Sequence, residues 1–275
     1  MTQATRLHYQ GYGPPKAPAL LFLHGFMGSL DDWQGIINSL SPHYRCLALD
    51  LPGHGGTGRV TDSRAYTMEG AAQAVIRVLD EERIHACPLV GYSMGGRLAL
   101  HLGVHCPHRV SALVIESASP GIQDALERRE RKTLDAAWAR RLAQEDFNSF
   151  LTSWYKQPLF ETLQKRSDLL ERILARRRKN DPAALAKSLL GMSPGRAPAL
   201  WDTLHRIGAP VLVLAGELDL RYKKIARDTA GRVPQAQLEL VAQAGHNVHA
   251  ENPAAFENLL RRFLVRQEQL NHGKN

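Results

Sequence analysis

Short, nearly unbroken apolar runs recur along this chain at residues 18–24 (PALLFLH), 45–49, 87–90 and 110–115, and strand character returns at 210–215 and 238–241. Such runs predict strands buried on both faces. Between them the apolar period changes to three or four. Over residues 66–82, Met68, Ala71, Ala72, Val75, Val78 and Leu79 fall on one helical face. Residues 30–40, capped by Ser29, and residues 94–105 also read as helices. A last helix is predicted from residue 252 to about 267, with Pro253 in its first turn. Strand alternating with helix predicts an α/β protein with a mostly parallel central sheet flanked by helices. The alternation stops near residue 122 and resumes near 206, and the stretch between is helical and rich in arginine. An insertion there predicts a helical cap over the carboxyl ends of the strands, where open α/β sheets bind ligands. The expected organisation is a core of residues 1–120 and 206–275 with a cap of residues 121–205. Only the tail, 271–275, reads as disordered.

One junction carries chemistry. The run ending at Val90 meets Gly91-Tyr92-Ser93-Met94-Gly95-Gly96, and a helix begins after the serine. The spacing G-x-S-x-G is that of a nucleophile elbow. The serine of such a turn is strained, so small residues two positions away on each side let strand and helix pass close together. The following helix points its positive end at the same place. Earlier, the strand at 18–24 runs into His24-Gly25-Phe26-Met27-Gly28. A strand ending in this way supplies a second oxyanion donor, assigned here to the backbone N–H of Phe26, with the N–H of Met94 as the first.

Two later strand ends complete the set. Residues 210–215 lead to Gly216-Glu217-Leu218-Asp219, and residues 238–241 lead to Gln243-Ala244-Gly245-His246. The order Ser93, Asp219, His246 is that of α/β-hydrolase-fold enzymes and differs from the chymotrypsin and subtilisin orders. Asp219 would hold His246 in the tautomer that faces Ser93. Glu217 is the alternative acid. His249 reads as a loop residue near Glu251, and Asp50 and His54 as structural groups in a turn-rich loop.

Composition narrows the classes. The chain has 275 residues, 44% of them hydrophobic, enough for a sizeable core. No apolar run approaches a transmembrane length, and residues 1–9 lack a signal-peptide core. Cys46, Cys87 and Cys106 are far apart and without metal spacing, which predicts buried free thiols in a reducing cytoplasm. The net charge is +8 and the pI about 9.6. Residues 121–205 hold 16 Lys and Arg against 11 Asp and Glu, so much of the excess lies in the predicted cap. No nucleic-acid motif or metal-ligand spacing accompanies it. A solvated helical face and an acidic small molecule are the two readings of that charge.

More of the chain than these motifs can be matched to a known family. Leu23-His24-Gly25-Phe26-Met27-Gly28 with Trp33, Asp50-Leu51-Pro52-Gly53-His54-Gly55, and Tyr92-Ser93-Met94-Gly95-Gly96-Arg97 resemble the 2-succinyl-6-hydroxy-2,4-cyclohexadiene-1-carboxylate synthases of menaquinone and phylloquinone biosynthesis. Glu127-Arg128, Arg131, Asp135, Trp138, Trp154-Tyr155 and Ala244-Gly245-His246-Asn247-Val248-His249 extend the resemblance over nearly the whole chain. Departures fall at residues 193–201 and at Arg221-Tyr222. The resemblance implies a lyase that expels pyruvate from a cyclohexene polycarboxylate, with Ser93 as base. The sequence shows neither paired metal-ligand spacing nor a Gly-rich phosphate loop, so no metal or cofactor is expected. The resemblance also implies substrate contacts at Tyr92, Arg97, Arg131, Trp154 and Arg177. Arginine suits that substrate, because its planar fork pairs bidentately with a carboxylate. The expected partner is the small polycarboxylate, with neither nucleic acid nor membrane, on a cytoplasmic monomer or weak homo-oligomer. A carboxylesterase or carbon–carbon bond hydrolase of the same fold, and a non-catalytic binding protein, remain as alternatives.

Overall fold

The computed structural model describes residues 5–272, the last two as backbone only. Its strands are β1 (Tyr9–Tyr12), β2 (Ala19–Leu23), β3 (Arg45–Leu49), β4 (Cys87–Tyr92), β5 (Val110–Glu116), β6 (Val211–Gly216) and β7 (Ala236–Val241). They form one sheet in the order β1-β3-β2-β4-β5-β6-β7. All neighbours run parallel except β1, which pairs antiparallel with β3, Tyr9 opposite Leu49. The helices before the long helical segment are α1 (Gln34–Leu40), α2 (Met68–Glu81) and α3 (Met94–His105). The segment itself holds α4 (Ala125–Gln144), α5 (Phe147–Tyr155), α6 (Glu161–Gln164), α7 (Ser167–Arg177) and α8 (Pro182–Gly191). After it come α9 (Leu220–Ala230), α10 (Val248–Glu251) and α11 (Pro253–His272).

Successive strand residues point to opposite faces, and both faces are covered. In β2, Leu21 and Leu23 pack with α2 and α3, while Leu20 and Phe22 pack with α1 and α11. This double burial is why the strands read as continuous apolar runs. A third apolar cluster joins Phe150, Trp154, Tyr155, Phe160 and Leu185 of the helical segment to Met27 of the core. No strand interrupts that segment.

Several expectations need correction. Strand β1 carries no apolar alternation: its sequence is YQGY and its burial is partial, as suits a sheet edge. Ser29 makes no side-chain cap. The N–H of Leu30 instead donates to Asp50 Oδ1 at 2.7 Å, so a residue from the end of β3 caps the turn. Cys46 and Cys87 are buried free thiols, but Cys106 is only half-buried. Helix α11 continues through His272, and residues 273–275 of the expected tail lie outside the described residues.

The elbow is fixed by close packing. Ser93 has a φ of 51°, in a region that side-chain-bearing residues rarely adopt. A Cβ on Gly91 would lie 2.5 Å from Gly95 O, and one on Gly95 2.2 Å from Leu23 O. Backbone cannot yield there without separating β4, α3 and β2. Gly95→Ala should therefore destabilise by ~3 kcal/mol or more, a fall in Tm of about 6–12 °C for a chain of this size. Gly35→Ala, whose Cβ would meet nothing within 4 Å inside α1, should leave Tm unchanged or slightly raised. Thermal unfolding of the two variants beside the wild type checks the contrast.

Candidate active site

The sheet brings the three predicted residues together from the ends of β4, β6 and β7. Ser93 Oγ lies 3.2 Å from His246 Nε2. His246 Nδ1 lies 2.8 Å from Asp219 Oδ2. A carboxylate only accepts, so Nδ1–H donates to Asp219 and the Nε2 lone pair faces the serine hydroxyl. Asp219 Oδ1 accepts from the N–H of Tyr222 at 3.0 Å, so the same carboxylate caps α9 and orients the imidazole. Glu217 is exposed and its side chain takes no part. The ring of Tyr222 packs edge-on against His246 at 4.5 Å between centroids.

The loop carrying His246 is clamped. Glu251 accepts from the N–H of Gly245 at 2.9 Å and of Asn247 at 3.1 Å, one on each side of the histidine. Arg166, from the helical segment, donates to Gln243 O and Glu251 O. His249 opens no loop and does not pair with Glu251. It sits in α10, buried, with Nδ1 2.7 Å from Glu116 Oε2 and its ring stacked on Trp33 at 4.3 Å.

Phe26 and Met94 both line the cavity above Ser93. The neighbouring N–H of Met27 is already committed, donating to His54 Nε2 at 3.1 Å. Asp50 accepts from the N–H groups of Leu30 and Gly56, so it and His54 serve the backbone, as expected of them.

The cavity also gathers Tyr92, Arg97, Arg131, Trp154 and Arg177 around Ser93 and His246. Tyr92 is 6% exposed, and burial pushes its phenol well above the ordinary range, so it stays a proton donor. Trp154 serves both readings, lining the cavity while packing on Phe26 at 5.2 Å. Arg97 is half-buried and donates to Met192 O at 2.8 Å. Burial lowers its pKa to about 10, so it stays charged at neutral pH. Arg131 pairs with the buried Asp135 at 2.8 Å. Arg177 is 3% exposed, donating to Asp32 Oδ1 at 2.8 Å and to the Tyr155 hydroxyl at 3.1 Å. Burial opposes the charge on Arg177 and on Asp32, but their mutual attraction outweighs it, raising the one pKa and lowering the other.

Sequence reasoning missed Arg221 as a lining residue of this cavity. It also missed Asp32 and Tyr155 as the groups that hold Arg177. Arg131 and Asp135 stand four apart on one helix, a signal that could have paired them. Asp32 and Arg177 are 145 residues apart, and nothing local marks that contact.

The chain is similar to known proteins over most of its length. The alpha/beta hydrolase fold family matches residues 18–253. The chain is 35% identical over 263 residues to the 2-succinyl-6-hydroxy-2,4-cyclohexadiene-1-carboxylate synthase of Serratia proteamaculans (strain 568), covering 95% of this chain and 98% of that one. It is 30% identical to the chloroplastic protein PHYLLO of Arabidopsis thaliana, over 95% of this chain and 16% of that much longer one. The structure of MenH from S. aureus superposes with a TM-score of 0.90 at 31% identity, covering 95% of this chain and 99% of that one. The parallel sheet, the serine elbow and these matches define an α/β-hydrolase-fold protein. Within that class the chain belongs to the 2-succinyl-6-hydroxy-2,4-cyclohexadiene-1-carboxylate synthase family. Among the described residues no helix is long and apolar enough to cross a membrane.

Two buried histidines beneath the site give it a pH-dependent stability. His24 and His54 each donate from Nδ1 to a carbonyl, Gly25 O and Pro52 O. Each accepts at Nε2 from a backbone N–H, that of Leu51 and that of Met27. Only the neutral ring fits both bonds, and burial lowers the pKa of His24 and takes that of His54 well below its ordinary value. The unfolded chain then binds more protons than the folded one below about pH 6.5. Their contribution is complete above that pH and is lost as pH falls toward the folded pKa values. Stability should fall below about pH 6.5, by up to ~1.4 kcal/mol per pH unit for each histidine, and Tm should fall with it. His54→Gln, whose amide oxygen can still accept from Met27, should flatten the slope in a pH series of thermal melts. A wild-type Tm constant from pH 8 to 5 would contradict this.

Proposed function

We propose that this protein is a carbon–oxygen lyase of menaquinone or phylloquinone biosynthesis. It would eliminate pyruvate from 2-succinyl-5-enolpyruvyl-6-hydroxy-3-cyclohexene-1-carboxylate to give 2-succinyl-6-hydroxy-2,4-cyclohexadiene-1-carboxylate. Residues 121–205 act as its cap and residues 1–120 and 206–275 as its core. The reaction takes place in the cytoplasm, on a monomer or weak homo-oligomer. Family membership supports the reading, and one observation carries it. Four arginines surround the Ser93–His246 pair, and two of them, Arg97 and Arg221, have no carboxylate within ion-pair distance among the described residues. A half-buried cation without a counter-ion favours an anionic ligand. Ser188 Oγ, buried in the same lining, also lacks a hydrogen-bond partner among the described residues. A neutral ester would leave both arginines without a counter-ion.

The substrate's own bonding defines the step. The proton on ring carbon 2 is acidic because the succinyl ketone lies beside it. His246 takes the Ser93 hydroxyl proton, and the serine oxygen removes the carbon-2 proton. Charge then develops on the ketone oxygen, where the N–H groups of Phe26 and Met94 stabilise it. The electron pair forms the 2,3 double bond, the 3,4 bond shifts to 4,5, and the bond from carbon 5 to the enolpyruvyl oxygen breaks. The imidazolium, steadied by Asp219, returns its proton to the departing enolpyruvate, which leaves as pyruvate. Atoms and charge balance without an acyl-enzyme.

The test is pyruvate release from the enolpyruvyl substrate, generated in situ, by wild type and variants. Ser93→Ala should lower kcat by about 10³-fold, within the range of general acid–base loss. Arg97→Met, which keeps the volume, should lower kcat/KM by about 10- to 100-fold, the worth of one charge-assisted hydrogen bond. Wild type that releases no pyruvate while hydrolysing an aryl ester well would replace this reading with an esterase.

A further inference from the structure

Arg221 lies in the first turn of α9, two residues past Asp219, and lines the cavity with Ser93 and the other three arginines. It differs from them in two respects. Its side chain is exposed, so it stands at the mouth. Its guanidinium also makes no hydrogen bond or ion pair with any described residue. Arg131 is faced by Asp135, and Arg177 by Asp32, which Arg176 also approaches at 3.2 Å, so a protein carboxylate already occupies each of those two guanidinium groups. The cavity arginines that no carboxylate of a described residue faces are therefore Arg97 inside and Arg221 at the rim.

The base of Arg221 is nonetheless held firmly. The N–H of Tyr222 donates to Asp219 Oδ1, and the Tyr222 ring packs on His246. One residue away, the arginine side chain projects from a turn whose backbone is tied to the reacting histidine.

On the lyase reading, the substrate carries three carboxylates, on the ring, on the succinyl arm and on the enolpyruvyl arm. The product keeps the first two, and the third departs with pyruvate. A fragment that must leave is best held at the solvent end of the cavity, by a cation that no protein carboxylate competes for. We propose that Arg221 binds the carboxylate of the enolpyruvyl arm and so positions the leaving group. The reading of the site as a lyase is assumed here, and the substrate arm is what this assignment adds. Arginine at such a site can grip a carboxylate in two-point fashion, which lysine cannot.

The experiment compares wild type, Arg221→Gln and Arg221→Lys in pyruvate release, with inhibition by the cyclohexadiene product and by pyruvate measured on each. Because Arg221 is exposed, Tm should be unchanged. Arg221→Gln should lower kcat/KM by about 10- to 100-fold, with Arg221→Lys between it and wild type. The deficit should shrink as salt is raised, since the site is open to solvent. Inhibition by the product, which lacks the enolpyruvyl carboxylate, should change less than twofold in Arg221→Gln, while inhibition by pyruvate weakens. Unimpaired turnover by Arg221→Gln would overturn the assignment. So would a product affinity that falls in step with kcat/KM, because Arg221 would then act only as a general attraction for anions. Absence of pyruvate release by the wild type would instead remove the lyase reading itself, and the inference with it.

Discussion

At Ser93 the backbone turns from β4 into α3 with a φ of 51°, and everything about the site depends on that turn being held. The strain costs of order 1–3 kcal/mol and persists only because its surroundings allow no other path. Gly91 and Gly95 let three backbones approach to distances that a Cβ would forbid. The N–H of Ser93 donates to Glu116 O at 2.9 Å, tying the turn to β5. Glu116 in turn accepts from His249 through its carboxylate. The elbow is thus pinned from both sides, and Met94 begins a helix whose positive end faces the cavity. Position of the serine, direction of the Met94 N–H and reach to His246 all follow from one steric constraint.

Charge is the second determinant. The cavity is lined by four arginines, but they are not equivalent. Arg131 and Arg177 are anchored by buried carboxylates, which fix their forks in place and lessen their net field. Arg97 is oriented by a carbonyl, Met192 O, and keeps its charge for a ligand. Rigid paired cations give shape to the site, and unpaired ones give it attraction for anions. The same serine, histidine and aspartate serve ester hydrolysis elsewhere on this fold, so the arginines rather than the triad distinguish a lyase for polycarboxylates.

Much of this was legible in the sequence, for identifiable reasons. Strands buried on both faces read as apolar runs, and β3 spans the very residues expected of it. The helix after the elbow begins and ends where its pattern does. Ser93, Asp219 and His246 lie at strand ends, where chain order alone suggests their relation. Strand β1 escaped notice because two exposed residues between two half-buried tyrosines carry no alternation. The cap by Asp50 on Leu30, the Asp32–Arg177 pair and the Glu116–His249 pair join residues 20 to 145 positions apart. Local patterns cannot register such contacts. The role of Arg221 was hidden for a different reason: its significance lies in having no partner, which a sequence does not reveal.

The most direct test of the account is a structure of the wild-type protein with the cyclohexadiene product bound. The account predicts the succinyl ketone oxygen at about 3 Å from both the Phe26 and Met94 N–H groups. Ring carbon 2 should face Ser93 Oγ with no covalent bond between them, and the two remaining carboxylates should meet Arg97, Arg131 or Arg177. A ketone oxygen turned away from both N–H groups, or a product covalently attached to Ser93, would contradict it.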